Sequence, residues 1–383
     1  MTNQRKKLLT GLALVCVSLI LSLAVLEGLL IVFGSTISVR IFKTGLDSYE
    51  MFDPENSNNW ILRPGYDITL SGLLGEKQRD GKTLAVGVIS QLAQDYNLGP
   101  DDGLFQVNEF GFKGPDMDKA KEPDTIRIMN IGDSCTFGLV YDWCSYSRTL
   151  ERYLQNEGYR VEVLNAGVEG YSTQNVLYRL DYFMSFKPDI AIVYIGWNDI
   201  YKERFGLRRL QTARALEYMS NTLFSQNQWV VKDGKLYFTD HYWDTSTPEA
   251  RCYSADYEPS FLPQVQQIVD RLLENGITPV IVTLPGIFSV DTPPSQQALQ
   301  IGHLPSNTRN AYVLAVMSRK YNDDLRELAK KKDVSLIDLE RWGQSVFLPP
   351  ESWFFDSVHL WSEGQVAIGD YIGQSLVSLG LVK

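Results

Sequence analysis

The stretch Thr125-Ile-Arg-Ile-Met-Asn-Ile131-Gly-Asp-Ser134-Cys-Thr-Phe-Gly138 decides the fold. Its first half, Ile126 to Ile131, is a short apolar run that stops at Gly132, which reads as a buried strand. The same signal returns at Val161 to Leu164, Asp189 to Ile195, Pro279 to Leu284 and Val334 to Leu339. Between these runs the apolar spacing becomes helical: Phe261, Val265, Ile268 and Leu272, then Leu314, Met317, Tyr321, Leu325 and Leu328. Ile368, Ile372, Leu376 and Leu379 predict a last helix. Strands alternating with amphipathic helices give parallel βαβ units and a three-layer α/β/α sandwich.

The alternation has one long interruption, roughly Ile200 to Ser260, which carries Trp229, Tyr237, Phe238, Tyr242 and Trp243. It is read either as a small satellite core or as a lid or substrate platform. Upstream, 34–124 is irregular and rich in Gly, Asn and Asp, an extension packed on the main domain of 125–383. The chain of 383 residues, 44% hydrophobic and 21% charged, has the composition of a packed protein rather than a disordered one. Its net charge of -10 argues against a nucleic-acid partner.

The N-terminus differs. Arg5, Lys6 and Lys7 precede an apolar run over 8–33 that only Glu27 interrupts. Leu8 to Leu26 as a helix would span roughly 28 Å, close to the hydrocarbon thickness of a bilayer. No small-residue cleavage pattern follows, so the expectation is an uncleaved, single-pass transmembrane helix. Basic residues before it put 1–7 in the cytosol and the body of the chain outside, although Arg40 and Lys43 weaken the bias. Cys16, Cys135, Cys144 and Cys252 include no CxxC pair, and an external domain could join Cys144 to Cys252.

Chemistry concentrates where strands end. Ser134 follows the first strand, at the sheet edge where open parallel sheets bind ligands. Taken alone, Gly132-Asp-Ser134 is equally a turn followed by a helix cap. Asn165-Ala-Gly-Val-Glu-Gly170 follows the second strand and offers a backbone N–H, and Gly196-Trp-Asn198-Asp199 follows the third and offers a side-chain amide. Both are the donors that a developing oxyanion needs. Asp356-Ser-Val-His359 precedes the last helix, and its spacing lets the carboxylate orient the imidazole as a base for Ser134. Neither of the two other histidines, His241 and His303, has a carboxylate three residues before it. A Gly-x-Ser-x-Gly elbow, a phosphate loop and a His-Glu-x-x-His zinc helix are all missing, and no cofactor or metal is expected.

In this order the four blocks resemble those of the SGNH (GDSL-like) hydrolase superfamily, from about Thr125 to the C-terminus. The resemblance implies a flavodoxin-like fold with strand order 2-1-3-4-5. It also implies Ser134 as nucleophile, Asp356 and His359 completing the triad, and an oxyanion hole from the Ser134 and Gly170 N–H groups and the Asn198 amide. Two departures stand out. Trp197 is large where the family often has a small residue, and its ring beside Asn198 is expected to bind substrate as part of an aromatic wall suited to pyranose rings. Cys135 follows the nucleophile and reads as a packed thiol, since no base or cation is local to it. Asn108-Glu-Phe-Gly-Phe-Lys-Gly114 resembles the lead-in of anchored bacterial SGNH proteins, some of which act on O-acetyl groups of surface polysaccharides. The expected function is hydrolysis of O-acyl, foremost O-acetyl, esters on cell-surface carbohydrate. Acyl transfer to a polysaccharide, lipid-ester hydrolysis and inactive glycan binding are the alternatives.

Overall fold

A computed structural model describes residues 51–55, 59–79, 97–138, 141–203, 229–232, 235–238, 240–305 and 308–383, with a few isolated positions before 97. Apart from Ser18 and Ser22, the segment read as a membrane anchor lies outside the described residues, as does most of the first half of the long insertion. Among the described residues, no helix is long and apolar enough to cross a membrane. The chain divides into two units: Met1–Tyr49, Pro54–Trp60 and Arg204–Gln226 form one, and Glu50–Asp53, Ile61–Glu203 and Asn227–Lys383 form the other. The second unit contains the main sheet and every loop to which the sequence assigns chemistry.

Five parallel strands make its sheet: β1 (Ile126–Gly132), β2 (Val161–Gly167), β3 (Ile190–Tyr194), β4 (Thr278–Val282) and β5 (Ser335–Ile337). Their spatial order is β2-β1-β3-β4-β5, so the expected 2-1-3-4-5 arrangement is the one observed. β1 and β3 lie inside the sheet, and Ile128, Met129, Ile131, Ala191 and Ile192 are all buried. Burial on both faces explains why these strands read as unbroken apolar runs rather than alternating ones. The connections run outward from β1 to β2 and then back past it to β3, which makes the carboxyl ends of β1 and β3 the switch point where an open sheet leaves a crevice.

Helices cover both faces. On one, α2 (Tyr146–Asn156) packs on the C-terminal helix α10 (Ser362–Ser378). α2 buries Tyr146, Leu150 and Leu154, while α10 buries Ile368, Ile372 and Leu376 at the same four-residue spacing. Leu379, expected on that stripe, is instead the exposed C-cap, because the helix has ended. On the other face, α3 (Thr173–Met184) packs against α6 (Leu262–Glu274), and α6 against α8 (Ala311–Lys332). Caps set where these helices begin. Ser145 accepts from Arg148 N ahead of α2, and Asn310 accepts from Tyr312 N ahead of α8.

The described part of the insertion consists of an antiparallel hairpin, Trp229–Lys232 with Lys235–Phe238, and the helix α5 (Pro248–Asp256). Its base is closed by Glu203, whose carboxylate accepts from Ser260 N at 3.0 Å and Ser260 Oγ at 2.8 Å. Asn310 holds its far end, donating to Asp244 O at 2.7 Å and accepting from Asp244 N at 3.2 Å. Phe238, Tyr253 and Tyr257 are buried while Tyr242 is exposed, so much of the aromatic content goes into packing. Cys135, Cys144 and Cys252 are free thiols. The pairing of Cys144 with Cys252 is therefore not formed; Cys144 is buried and in contact with Tyr141 O and Ser362 Oγ.

Candidate active site

Ser134 begins α1 (Ser134–Phe137), a single turn that follows β1 directly. Asp133 caps it, with Oδ1 accepting from Cys135 N at 2.9 Å. Thr136 Oγ1 donates to Tyr194 O at 3.1 Å and ties the turn to the end of β3. At its other end the Phe137 carbonyl accepts from Asn165 Nδ2 at 3.2 Å and from Lys113 Nζ at 3.1 Å. Lys113 comes from the lead-in segment and is fully buried, its ammonium 4.2 Å from the Phe137 ring centre. Burial pushes its pKa down to about 8. The lead-in thus reaches the turn that carries the serine, a contact no local pattern announced.

The Asp356–His359 turn is self-organised. Asp356 Oδ1 accepts from Val358 N and from His359 N, both at 2.8 Å, which folds the four residues onto their own carboxylate. Asp356 Oδ2 lies 2.7 Å from His359 Nδ1, and His359 Nε2 lies 2.8 Å from Ser134 Oγ. With Nδ1–H donated to the carboxylate, Nε2 is left to accept the serine proton. All three side chains are half-buried. Burial alone would raise the Asp356 pKa, but the facing imidazoles of His359 and His303 and the hydrogen bonds it accepts hold it well below the usual carboxylate range. Burial opposes charge on His359, and the Asp356 carboxylate outweighs this and raises its pKa. Such an imidazole is basic enough to take a proton from a hydroxyl and can hand it on to a leaving group.

The two further donors expected of the site stand on the neighbouring loops. Gly170, after β2, has φ of 79°, a backbone closed to most other residues. Among the described residues, neither the Ser134 nor the Gly170 N–H is spent on another group. Asn198 lies in α4 (Trp197–Lys202), after β3, and one of its amide hydrogens goes to Tyr171 O at 3.0 Å. Asp199 accepts from Thr173 N at 2.9 Å and Thr173 Oγ1 at 2.8 Å, linking this loop to the start of α3.

Trp197 does not form the expected substrate wall. It is 4% exposed, and a Cβ added to Gly286 would meet its ring at 3.0 Å, so the indole fills the space beside β4 instead of facing a ligand. The reason is steric: a glycine opposite leaves room for a ring to turn inward. Cys135 is buried with its Sγ 3.6 Å from Val358 O, and burial drives its thiol pKa well up, in keeping with a packed thiol.

One residue that the sequence left aside sits here. His303, in the loop between α7 (Gln296–Ile301) and α8, places Nδ1 at 3.7 Å from Asp356 Oδ2. Its ring lies 6.5 Å from that of His359, with 9° between the planes. Nothing nearby in sequence could have signalled this, because the carboxylate it faces belongs to a different loop.

Solved structures similar to this chain include the acetyl xylan esterase AlAXEase, at 17% identity over 66% of this chain and 100% of that one, with a TM-score of 0.41. Axe2, an acetylxylan esterase from Geobacillus stearothermophilus, is 14% identical over 67% and 94% of the two chains, with a TM-score of 0.43. A lipase/acylhydrolase from Enterococcus faecalis is 17% identical over 67% and 97%, with a TM-score of 0.41. No curated protein sequence matches the chain. The model of the GDSL-like Lipase/Acylhydrolase family matches residues 131–367, well over half of the chain and all the strand-end loops of the site. This protein therefore belongs to the GDSL-like lipase/acylhydrolase family and is an ester hydrolase.

Proposed function

We propose that the protein is a serine esterase that removes O-acyl groups, foremost O-acetyl, from carbohydrate at the cell surface. In this reading 8–33 anchors the chain, 1–7 lies in the cytosol, and the hydrolase domain of 125–383 works outside, carried on the 34–124 extension. Ser134 is the nucleophile, His359 the general base and then acid, and Asp356 the group that orients and stabilises the imidazolium. The observation that carries the proposal is the unbroken chain Ser134 Oγ–His359 Nε2 at 2.8 Å and His359 Nδ1–Asp356 Oδ2 at 2.7 Å.

His359 takes the hydroxyl proton as Ser134 Oγ attacks the acyl carbonyl, and the oxyanion is met by the Ser134 and Gly170 N–H groups and the Asn198 amide. His359 returns the proton to the leaving alcohol. Water, deprotonated by the same imidazole, then releases the acid from the acyl-enzyme. The carbohydrate part of the reading is supported by the lead-in Asn108–Gly114 and the apolar N-terminus, not by Trp197, which is buried.

The test is a panel of esters of increasing acyl length together with an O-acetylated polysaccharide, offered to the wild type and to Ser134→Ala. Acetyl esters should be the best substrates, and the variant should lose on the order of 10⁴-fold or more in kcat. Undiminished turnover by Ser134→Ala would sink the mechanism. A preference for long acyl chains would remove the acetyl assignment, and faster transfer to an added sugar than to water would replace hydrolysis by transfer.

A further inference from the structure

A carboxylate offers about four lone-pair positions. Asp356 fills two on Oδ1 with Val358 N and His359 N, and one on Oδ2 with His359 Nδ1. Nδ1 of His303 approaches Oδ2 at 3.7 Å, just beyond hydrogen-bond distance, and is the nearest further donor to it. That second imidazole is held in place. Its own carbonyl accepts from the Tyr201 hydroxyl at 3.0 Å and from the Ser357 hydroxyl. Its ring stacks on Tyr201 at 4.8 Å, and on the far side of the array Phe355 stacks on His359 at 5.4 Å. The His303 side chain is 32% exposed and that of Asp356 20%, so the pair lies at the edge of the site.

We propose that His303 is a positioning residue of this esterase: a second imidazole that closes the remaining side of Asp356 and keeps Oδ2 on His359 Nδ1 while His359 carries the serine proton. The proposal rests on the reading of Ser134, His359 and Asp356 as the triad. An unfilled lone pair on a half-buried carboxylate draws water, which lets the carboxylate turn and weakens its hold on the imidazolium. His303 in its Nδ1–H form supplies the missing donor, and such contacts shorten as charge develops.

The role requires a neutral ring. As a cation His303 would take Oδ2 as its own counter-ion and repel the His359 imidazolium. Burial lowers the His303 pKa, the Asp356 carboxylate opposes this and His359 adds to it, and the net direction is down. The groups facing it are Asp356, Ser357 and His359 from the C-terminal loop, Tyr201 from α4, and His241 from the insertion, whose own pKa is lowered by burial with His303 contributing. Tyr201 stays neutral, since burial drives its hydroxyl far up. His303 and His359 thus share the Asp356 carboxylate, and His241 is coupled to the pair through His303.

The experiment uses the full-length chain and 4-nitrophenyl acetate. His303→Ala should lower kcat about ten-fold, the loss of one charge-assisted hydrogen bond, with KM unchanged. His303→Asn, whose amide nitrogen falls near the place of Nδ1, should recover most of it. On the acid side, log(kcat/KM) of the wild type should steepen from a slope of about one toward two as the second imidazole titrates, and His303→Asn should stay at about one. Wild-type kcat in a folded His303→Ala overturns the proposal, and so does an acid limb identical in the wild type and His303→Asn; the latter pair decides if the alanine variant does not fold. Ser134→Ala is measured alongside. If it keeps turnover the triad reading itself fails, whereas an inactive Ser134→Ala beside a fully active His303→Ala removes His303 alone.

Discussion

Asn198 has two amide hydrogens, and one is committed to the Tyr171 carbonyl at 3.0 Å. That bond fixes which way the amide faces, and the proposed mechanism gives the second N–H to the acyl oxygen. A donor held before the substrate arrives is worth most in the transition state, when the carbonyl oxygen gains charge. Asn198→Ala should therefore lower kcat by roughly 10²- to 10³-fold while KM for a small acetyl ester moves little. Steady-state kinetics on the purified protein distinguish the two constants. A rise in KM at constant kcat would show that Asn198 only binds the ground state. Trp197, its neighbour, shows the converse: the residue type suggested a platform, and Gly286 opposite it made a core position.

At the scale of elements, the ends of β1 and β2 decide whether Ser134 can be presented at all. A Cβ on Gly132 would meet Thr136 Oγ1 and Tyr194 O at 2.1 Å, and one on Gly167 would meet Phe137 N at 2.2 Å. The turn carrying the serine lies directly against both strand ends, with Lys113 and Asn165 on its last carbonyl. Because Tyr194 O and Phe137 N are backbone atoms, no rotamer change relieves the clash. Gly132→Ala should destabilise the protein by about 4 kcal/mol or more, or prevent folding. Gly158→Ala is the control: its φ is 90°, yet nothing lies within 4 Å of the added carbon. It should lose only about 1 kcal/mol through backbone strain. Thermal or urea melts of the two variants give the comparison, and equal losses would mean that close approach at β1 is not what the glycine serves.

For the molecule as a whole, Asp133 links the site to global stability. It is fully buried, one carboxylate oxygen has no hydrogen-bond partner among the described residues, and burial raises its pKa to about 6. In the unfolded chain the same group ionises near 3.8. Between these values the unfolded state sheds its proton first, so the native state loses stability as pH rises from about 4 through 6, and the deficit persists above that. Asp133→Asn keeps an acceptor for Cys135 N and carries no charge. It should be the more stable protein at pH 7.5, by up to about 3 kcal/mol, and the gap should close toward pH 4. Urea unfolding at the two pH values measures it; a gap that does not change with pH would show that the charge on Asp133 is already compensated in the native state.

The sequence by itself determined the alternation of strands and helices, because burial on both faces of a strand and the 3.6-residue period of a helix are written in neighbouring residues. It also determined the Asp356–His359 pair, since that turn closes within four residues on its own carboxylate. Tertiary structure alone decided what depends on contacts between distant segments. It brought Ser134 to 2.8 Å from His359, set His303 against Asp356, turned Trp197 into the core, ran Lys113 to the Phe137 carbonyl and left Cys144 and Cys252 as free thiols. Each of these is a meeting of side chains whose distance is set by how whole elements pack, and no local spacing encodes it.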